Sequence, residues 1–351
     1  HENEFFGIKV SLSSDGRTLA VLAEDPDNVG WTNAYVHLYK YQLGGWTEKK
    51  KFTFTNRIVS VRGMDLSGDG DHIATLNVSP SNTSLNLWHL TIHKSASGST
   101  AWVDHTVTLS SVFTSGDLGL PTVSISSDGH VVVVGNPNFP LTNKGTLNVF
   151  EWDETTYQKT EDFSGSHDMD QLGHAVSVSP DGATIALGVC NTDSLSPPYV
   201  KIIRKNESDR WDFSGSTDID LENNLDLLGA DVSLSDEGKW IAISSNGKIS
   251  NASHFPVMVR SPYVNLYSYE DSNDSWVHRD RVEVDTEGTS LGTYLGTGMS
   301  LEDLGIGMSL GENVLTVGNI IHESVTSYRY NAVTDDESDN DPMTCQLHSD
   351  C

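Results

Sequence analysis

One phrase, written six times, limits what this chain can become. It reads VSLSSDGRTLAVLA at 10–23, MDLSGDGDHIATLNV at 64–78 and VSISSDGHVVVVGN at 123–136. It returns as GHAVSVSPDGATIALG at 173–188, VSLSDEGKWIAIS at 232–244 and MSLGENVLTVGN at 308–319. Alternating residues ahead of the turn mark a half-buried strand, A, and the apolar run after it marks a second, B. Glycine supplies positive φ without steric cost, so the Asp-Gly pair predicts a hairpin of type I′ character.

Two further strands complete each unit. Strand C alternates as YVHLYKY (35–41), LNLWHLTI (85–92), TLNVFEW (146–152), YVKIIRK (199–205), YVNLYSY (263–269) and SVTSYRY (324–330). Strand D opens on an aromatic residue, Trp46, Trp102, Tyr157, Trp211 or Trp276, at spacings of 56, 55, 54 and 65 residues. No long segment carries helical periodicity, so the fold class expected is all-β. Units of about 40–60 residues with four strands each stack as blades of a β-propeller. The expectation is one propeller over residues 1–332, with six blades. A long insert, Arg281–Leu304, keeps seven as the alternative count. His1–Phe6 is expected to supply the outer strand that the sixth blade lacks and so to close the ring.

Residues 333–351 form an acidic tail almost without apolar side chains. Such a composition stays unfolded unless a neighbouring subunit, a cation or a Cys345–Cys351 clip holds it. Over the whole chain 49 acidic residues face 21 basic ones, a formal charge of −28. That balance repels phosphate backbones and excludes a nucleic-acid partner. It suits divalent cations, a basic partner or a halophilic surface. No apolar run approaches the roughly 20 residues of a membrane span. A chain starting at His1 without Met reads as already processed or trimmed, so the lack of a signal peptide is uninformative. Three cysteines are too few for a disulfide framework, and Cys190 stands alone. Five sequons, Asn77, Asn82, Asn206, Asn251 and Asn273, all fall in expected loops, so the chain reads as secreted and glycosylated.

The chemistry-bearing candidates lie in the B–C and D–A connections, which share one face. Three paired carboxylates map there: Asp25 and Asp27, Asp168 and Asp170, and Asp218 and Asp220. Such loops suit a hard cation, and Ca2+ is the cofactor they would take. DLSGDGD (65–71) looks calcium-like but coincides with the structural turn. His89 and His93 share a strand face about 13–14 Å apart, too far for one metal without further ligands. His1 could chelate copper only with a second placed histidine, which the sequence does not show. No nucleophile–base pair or arginine cluster stands out, and the Asp-box of sialidases, which the turns superficially resemble, lacks its tryptophan here. Trp31, in the first B–C loop, is the candidate partner-contacting ring.

Taken together, LGHAVSVSPDGATIALG (172–188), LLGADVSLSDEGKWIAIS (227–244), YVHLYKY and YVNLYSY resemble the FG-GAP or integrin-α-type propeller repeats of algal and bacterial secretomes. The S-x-D-G turn by itself is also shared with TolB-type propellers. The FG-GAP resemblance covers residues 6–332 and implies extracellular adhesion or scaffolding. The integrin-type calcium loop D-x-D-x-D-G is intact nowhere in the chain. The function expected from sequence is therefore a secreted, glycosylated, non-catalytic module in a cell-surface coat or filament, contacting protein subunits or its own copies. The alternative is a carbohydrate-active hydrolase, or a calcium-dependent glycan-binding adhesin, working at the channel mouth.

Overall fold

The computed structural model describes residues 5–26, 32–54, 61–80, 86–95, 101–113, 121–137, 144–168, 170–189, 199–220, 228–235, 237–245, 248–252, 255–260, 263–283, 308–310, 314–319 and 324–329. Among these residues there are strands and turns and no helix. Blade one is β1 (Phe5–Leu12), β2 (Thr18–Pro26), β3 (Thr32–Gln42) and β4 (Gly45–Phe54). Blade two is β5 (Val61–Leu66), β6 (His72–Pro80), β7 (Asn86–Ser95) and β8 (Trp102–Phe113). Blade three is β9 (Thr122–Ile125), β10 (Val131–Asn136), β11 (Thr146–Trp152) and β12 (Tyr157–Ser164). Blade four is β13 (Leu172–Val178), β14 (Thr184–Val189), β15 (Tyr199–Lys205) and β16 (Trp211–Asp220).

Blade five is β17 (Leu228–Leu234), β18 (Trp240–Ser245), β21 (Tyr263–Glu270) and β22 (Ser275–Glu283), with a separate hairpin, β19 (Lys248–Ala252) and β20 (Phe255–Arg260), inserted between its second and third strands. A last three-stranded sheet holds β23 (Met308–Leu310), β24 (Val314–Asn319) and β25 (Ser324–Arg329). Each sheet is an antiparallel meander in chain order. The inner strands β1, β5, β9, β13, β17 and β23 each pack on the next. The all-β propeller expectation holds. Residues 284–307, which carried the case for a seventh blade, and 330–351, the tail, lie outside the described residues.

A four-stranded sheet has two faces to bury, and the apolar residues meet between blades rather than within them. Leu22, Val36, Leu38 and Phe52 of blade one pack with Met64 and Ile73 of blade two. Leu76, Leu90 and Ile92 of blade two meet Val132, Val134 and Phe150 of blade three. Two further cores fill the seams between blades three and four and between blades four and five. Full burial stabilises each such side chain by about 1.5–3 kcal/mol.

The recurrent V-S-x-S serine has a second task that periodicity does not reveal. Its Oγ accepts the backbone N–H of the following blade's inner strand: Ser11 from Leu66 at 3.1 Å, Ser124 from Val178 at 3.2 Å and Ser177 from Leu234 at 3.1 Å. Blade two carries Asp65 at this position. Its Oδ1 accepts from Ser11 Oγ at 2.8 Å and from the Leu66 N–H at 2.9 Å, and its Oδ2 accepts from the Ile125 N–H at 3.0 Å. One carboxylate thus ties three blades together.

The A–B turns are built differently from the expectation. Among the described residues of these turns only the glycines Gly16, Gly70, Gly129, Gly182 and Gly238 have positive φ, so the turns of blades one to four are not type I′, which needs two such residues. Each glycine N–H instead donates to the carbonyl of the serine three residues earlier, as Gly129 does to Ser126 at 3.0 Å. The serine Oγ donates to the aspartate, whose oxygen also caps a backbone N–H, as in Ser126, Asp128 and His130. Turn bonds to turn across blades: Ser14 N–H to Gly68 O, Asp69 N–H to Ser127 O and Ser127 N–H to Pro180 O. The closure expected of His1–Phe6 is also corrected. Phe5 and Phe6 belong to β1, the innermost strand of blade one, and pair with Glu24 and Ala23 of β2; residues 1–4 lie outside the described residues.

Candidate functional site

The A–B turns define one rim of the propeller, the turn rim. The B–C and D–A connections define the other, the loop rim. On the loop rim the best-defined place is the junction of blades three and four, where SGSHDMDQLGH (164–174) runs from β12 into β13. Gly165 N–H donates to Gly145 O at 3.1 Å, and Leu172 N–H donates to Lys144 O at 3.0 Å. These bonds strap the loop to the residues preceding β11. A Cβ on Gly165 would lie 2.0 Å from Lys144 O, so only glycine permits the approach.

Inside the loop, Asp170 turns back on its own backbone. Its side chain is 1 % exposed and its Oδ2 accepts the His167 N–H at 2.7 Å. Gln171 is buried and sits at φ 51°, a left-handed conformation that costs a side-chain-bearing residue about 1–2 kcal/mol. Its carbonyl accepts the His174 N–H at 3.2 Å. Strain of this kind gathers where surroundings over-determine the backbone, often at functional sites.

His174 is the outcome of that geometry. Its ring is half-buried, and its Nδ1 is sealed from solvent without a hydrogen-bond partner. Burial lowers the imidazole pKa from its ordinary value, so the ring is neutral at neutral pH. A buried N–H without an acceptor costs more than a bare lone pair, which favours the proton on Nε2. His174 is therefore a neutral N–H donor at the start of an inner strand. On β15 of the same blade, burial foremost, then the charges of Asp170 and Asp218, raise the Tyr199 phenol to about 12, so it too remains a neutral donor.

Of the paired aspartates expected to hold a cation, Asp168 and Asp170 are put to separate uses. Asp168 lies 3.6 Å from Lys144 Nζ, while Asp170 is folded into the loop. Asp218 pairs with Lys201 at 2.7 Å. Asp220 ends β16 opposite Tyr199, and Asp25 lies in β2 opposite Asn33. Among the described residues no group of three or more His, Cys, Asp or Glu is placed to hold a metal. His89 and His93 are likewise divided, one with Thr108 and the other with Asp104 at 2.7 Å. Asp27, Trp31, Asn82, Cys190, Cys345 and Cys351 lie outside the described residues.

Of the sequons, Asn206 and Asn273 sit in exposed turns as expected. Asn77 does not. It lies within β6, is 6 % exposed and donates from Nδ2 to Thr75 and Thr91 at 3.3 Å, a packed position that leaves no room for a glycan. Asn251 falls in β19 of the inserted hairpin, not in a loop, because β19 pairs with β20 where the sequence offered only a long connection. His174 itself was absent from the sequence candidates. A histidine between Gly173 and the V-S-x-S strand, where other repeats carry Ala230 or Ile306, is the signal that marks it.

No family model and no curated protein matches this sequence. Solved structures do match its fold. A putative 6-phosphogluconolactonase from Bacteroides uniformis is 12 % identical, with a TM-score of 0.52 over 97 % of this chain and 83 % of that one. The periplasmic gluconolactonase of Pseudomonas aeruginosa is 14 % identical, with a TM-score of 0.51 over 96 % and 82 % of the two chains. The β-propeller domain of a trilobed protease from Pyrococcus furiosus is 10 % identical, with a TM-score of 0.51 over 94 % and 84 %. These likenesses establish the propeller and do not single out the FG-GAP type. They also correct the expectation of a non-catalytic coat or filament module. Two of the structures that share this fold across nearly the whole chain bear lactonase titles, and none of the three is titled as a structural protein.

Proposed function

We propose that this propeller hydrolyses a lactone or related ester of a sugar acid on the loop rim where blades three and four meet. The observation that carries the reading is His174, a neutral, half-buried imidazole whose Nδ1 has no partner. With Nδ1 enclosed, Nε2 is the ring nitrogen left to meet a ligand on this rim. Fold neighbours titled as lactonases support the same reading.

In the proposed reaction the Nε2–H of His174 donates to the carbonyl oxygen and holds the charge that develops there as water adds. The ring C–O bond then breaks, the ring oxygen takes the proton that water lost, and a hydroxy acid leaves. One such donor contributes roughly 100- to 1,000-fold in rate. Glucono-δ-lactone hydrolysis followed by acid release at constant pH tests this. We expect a rate above the spontaneous one that falls to background in His174→Ala, with thermal unfolding unchanged. No rate above background in the unaltered protein overturns the proposal. The FG-GAP kinship and secretion with glycosylation at Asn206 and Asn273 belong to this same reading, supported by the repeat and by the exposure of both asparagines.

A further inference from the structure

We infer that the rim of blades three and four selects uncharged sugar lactones and rejects their phosphorylated counterparts; this rests on the hydrolase reading above. A phosphate group is held by arginine or lysine side chains free to pair with it, or by clustered backbone N–H groups. Both lysines of this rim stand beside a carboxylate that offsets their charge. Lys144 lies 3.6 Å from Asp168, and Lys201 lies 2.7 Å from Asp218 while its ammonium stands 5.1 Å from the Phe213 ring centre.

One carboxylate of this rim cannot withdraw to make space for an anion. Asp170 is almost wholly enclosed and is anchored by the His167 N–H, so its carboxyl group is fixed in place beside the site. The chain as a whole carries a formal charge of −28, which slows the approach of a dianion and leaves a neutral sugar unaffected. What the rim does offer is a set of neutral hydrogen-bonding groups suited to hydroxyls: the His174 imidazole and the Tyr199 phenol, which burial and the neighbouring Asp170 and Asp218 keep protonated. A polyol with an ester carbonyl fits that chemistry, and a phosphate ester finds no unclaimed cation among the described residues of this rim.

The test compares kcat/KM for glucono-δ-lactone and its 6-phosphate at low and high salt, in the unaltered protein and in Asp168→Asn. We expect at least a tenfold preference for the neutral lactone at low salt. Salt should narrow the preference by raising turnover of the phosphate ester, because screening removes repulsion. Asp168→Asn, which releases Lys144, should narrow it several-fold further. Equal or better use of the phosphorylated lactone overturns this inference and leaves the hydrolase reading standing. Hydrolysis of neither lactone overturns both.

Discussion

The two rims of this propeller are made by opposite rules. On the turn rim, one solution is copied through blades one to four: a serine and an aspartate close each A–B turn, and successive turns are bonded backbone to backbone. On the loop rim the blade three–four junction has its own construction, with a strap to Lys144, an enclosed Asp170, a strained Gln171 and an unpartnered His174 nitrogen. Repetition signals a backbone problem that every blade shares. Departure from it, paid for in strain and an unsatisfied atom, signals a local task.

The largest expected effect comes from breaking the copied rim. Gly129 has φ 73°, and a Cβ there would lie 2.3 Å from Cγ of the His72 ring in the preceding blade. Gly129→Ala therefore combines a left-handed backbone penalty with overpacking at a seam, and should destabilise by about 2–5 kcal/mol in chemical denaturation. Gly16 occupies the same turn position at φ 67° with nothing within 4 Å of its Cβ site. Gly16→Ala should lose only the backbone penalty, about 1–2 kcal/mol. Equal losses at the two positions would show that seam packing does not hold the turn rim.

Asp65 sharpens the contrast, because it is a departure placed inside the copied part. Burial raises its pKa from the ordinary carboxylate value, against the opposing pull of Lys9, Ser11 Oγ and the N–H groups of Ile125 and Leu66. The folded state thus holds its proton more tightly than the unfolded chain. Stability from this group is complete below the unfolded value near 3.8 and is lost as pH rises through the raised folded pKa. The turn aspartates run the other way. Hydrogen bonds from Ser13 and the Arg17 N–H lower Asp15. Burial opposes the lowering of Asp69, but bonds from His72, Ser67 and the Asp71 N–H outweigh it and hold that carboxyl at about 2. Their contribution is present above the unfolded value and disappears as pH falls through the lowered ones. Asp65→Ala, which strands the Ile125 N–H, should cost about 1–3 kcal/mol. Asp65→Ser restores the residue of the other blades, so its advantage over the unaltered protein should grow between pH 4 and pH 7. A pH-independent difference between Asp65→Ser and the unaltered protein would remove the burial argument.

The copied part was legible in the sequence because its constraints are local and periodic. Val176 and Val178 alternate with Ser177 and Ser179, Asp181-Gly182 follows, and the strands form as that pattern requires. What the pattern could not show was where Ser177 bonds, since Leu234 is 57 residues away, or that Asp65 would meet three blades at once. On the loop rim Asp168 and Asp170 looked equivalent two residues apart. Only folding separates them, because one meets Lys144 and the other is enclosed by its own turn. His174 was hidden by an apolar context in which a histidine reads as one more core residue.

The smallest effect tests whether the turn rim is governed by backbone geometry alone. The β3–β4 hairpin turns through Leu43 and Gly44, at φ 52° and 84°, and Leu43 is fully exposed. Two successive positive φ values define a type I′ turn, which favours asparagine and glycine and penalises a bulky side chain. Other blades place acidic residues at positive φ in their C–D turns: Glu154, Asp209 and Asp274. Leu43→Asn keeps every contact of the hairpin and relieves only the backbone, so it should stabilise by about 0.5–1 kcal/mol. In a thermal melt the midpoint should rise by about 1–4 °C. A fall would mean that Leu43 covers apolar surface on a neighbouring molecule, and that this corner of the copied rim has a local task after all.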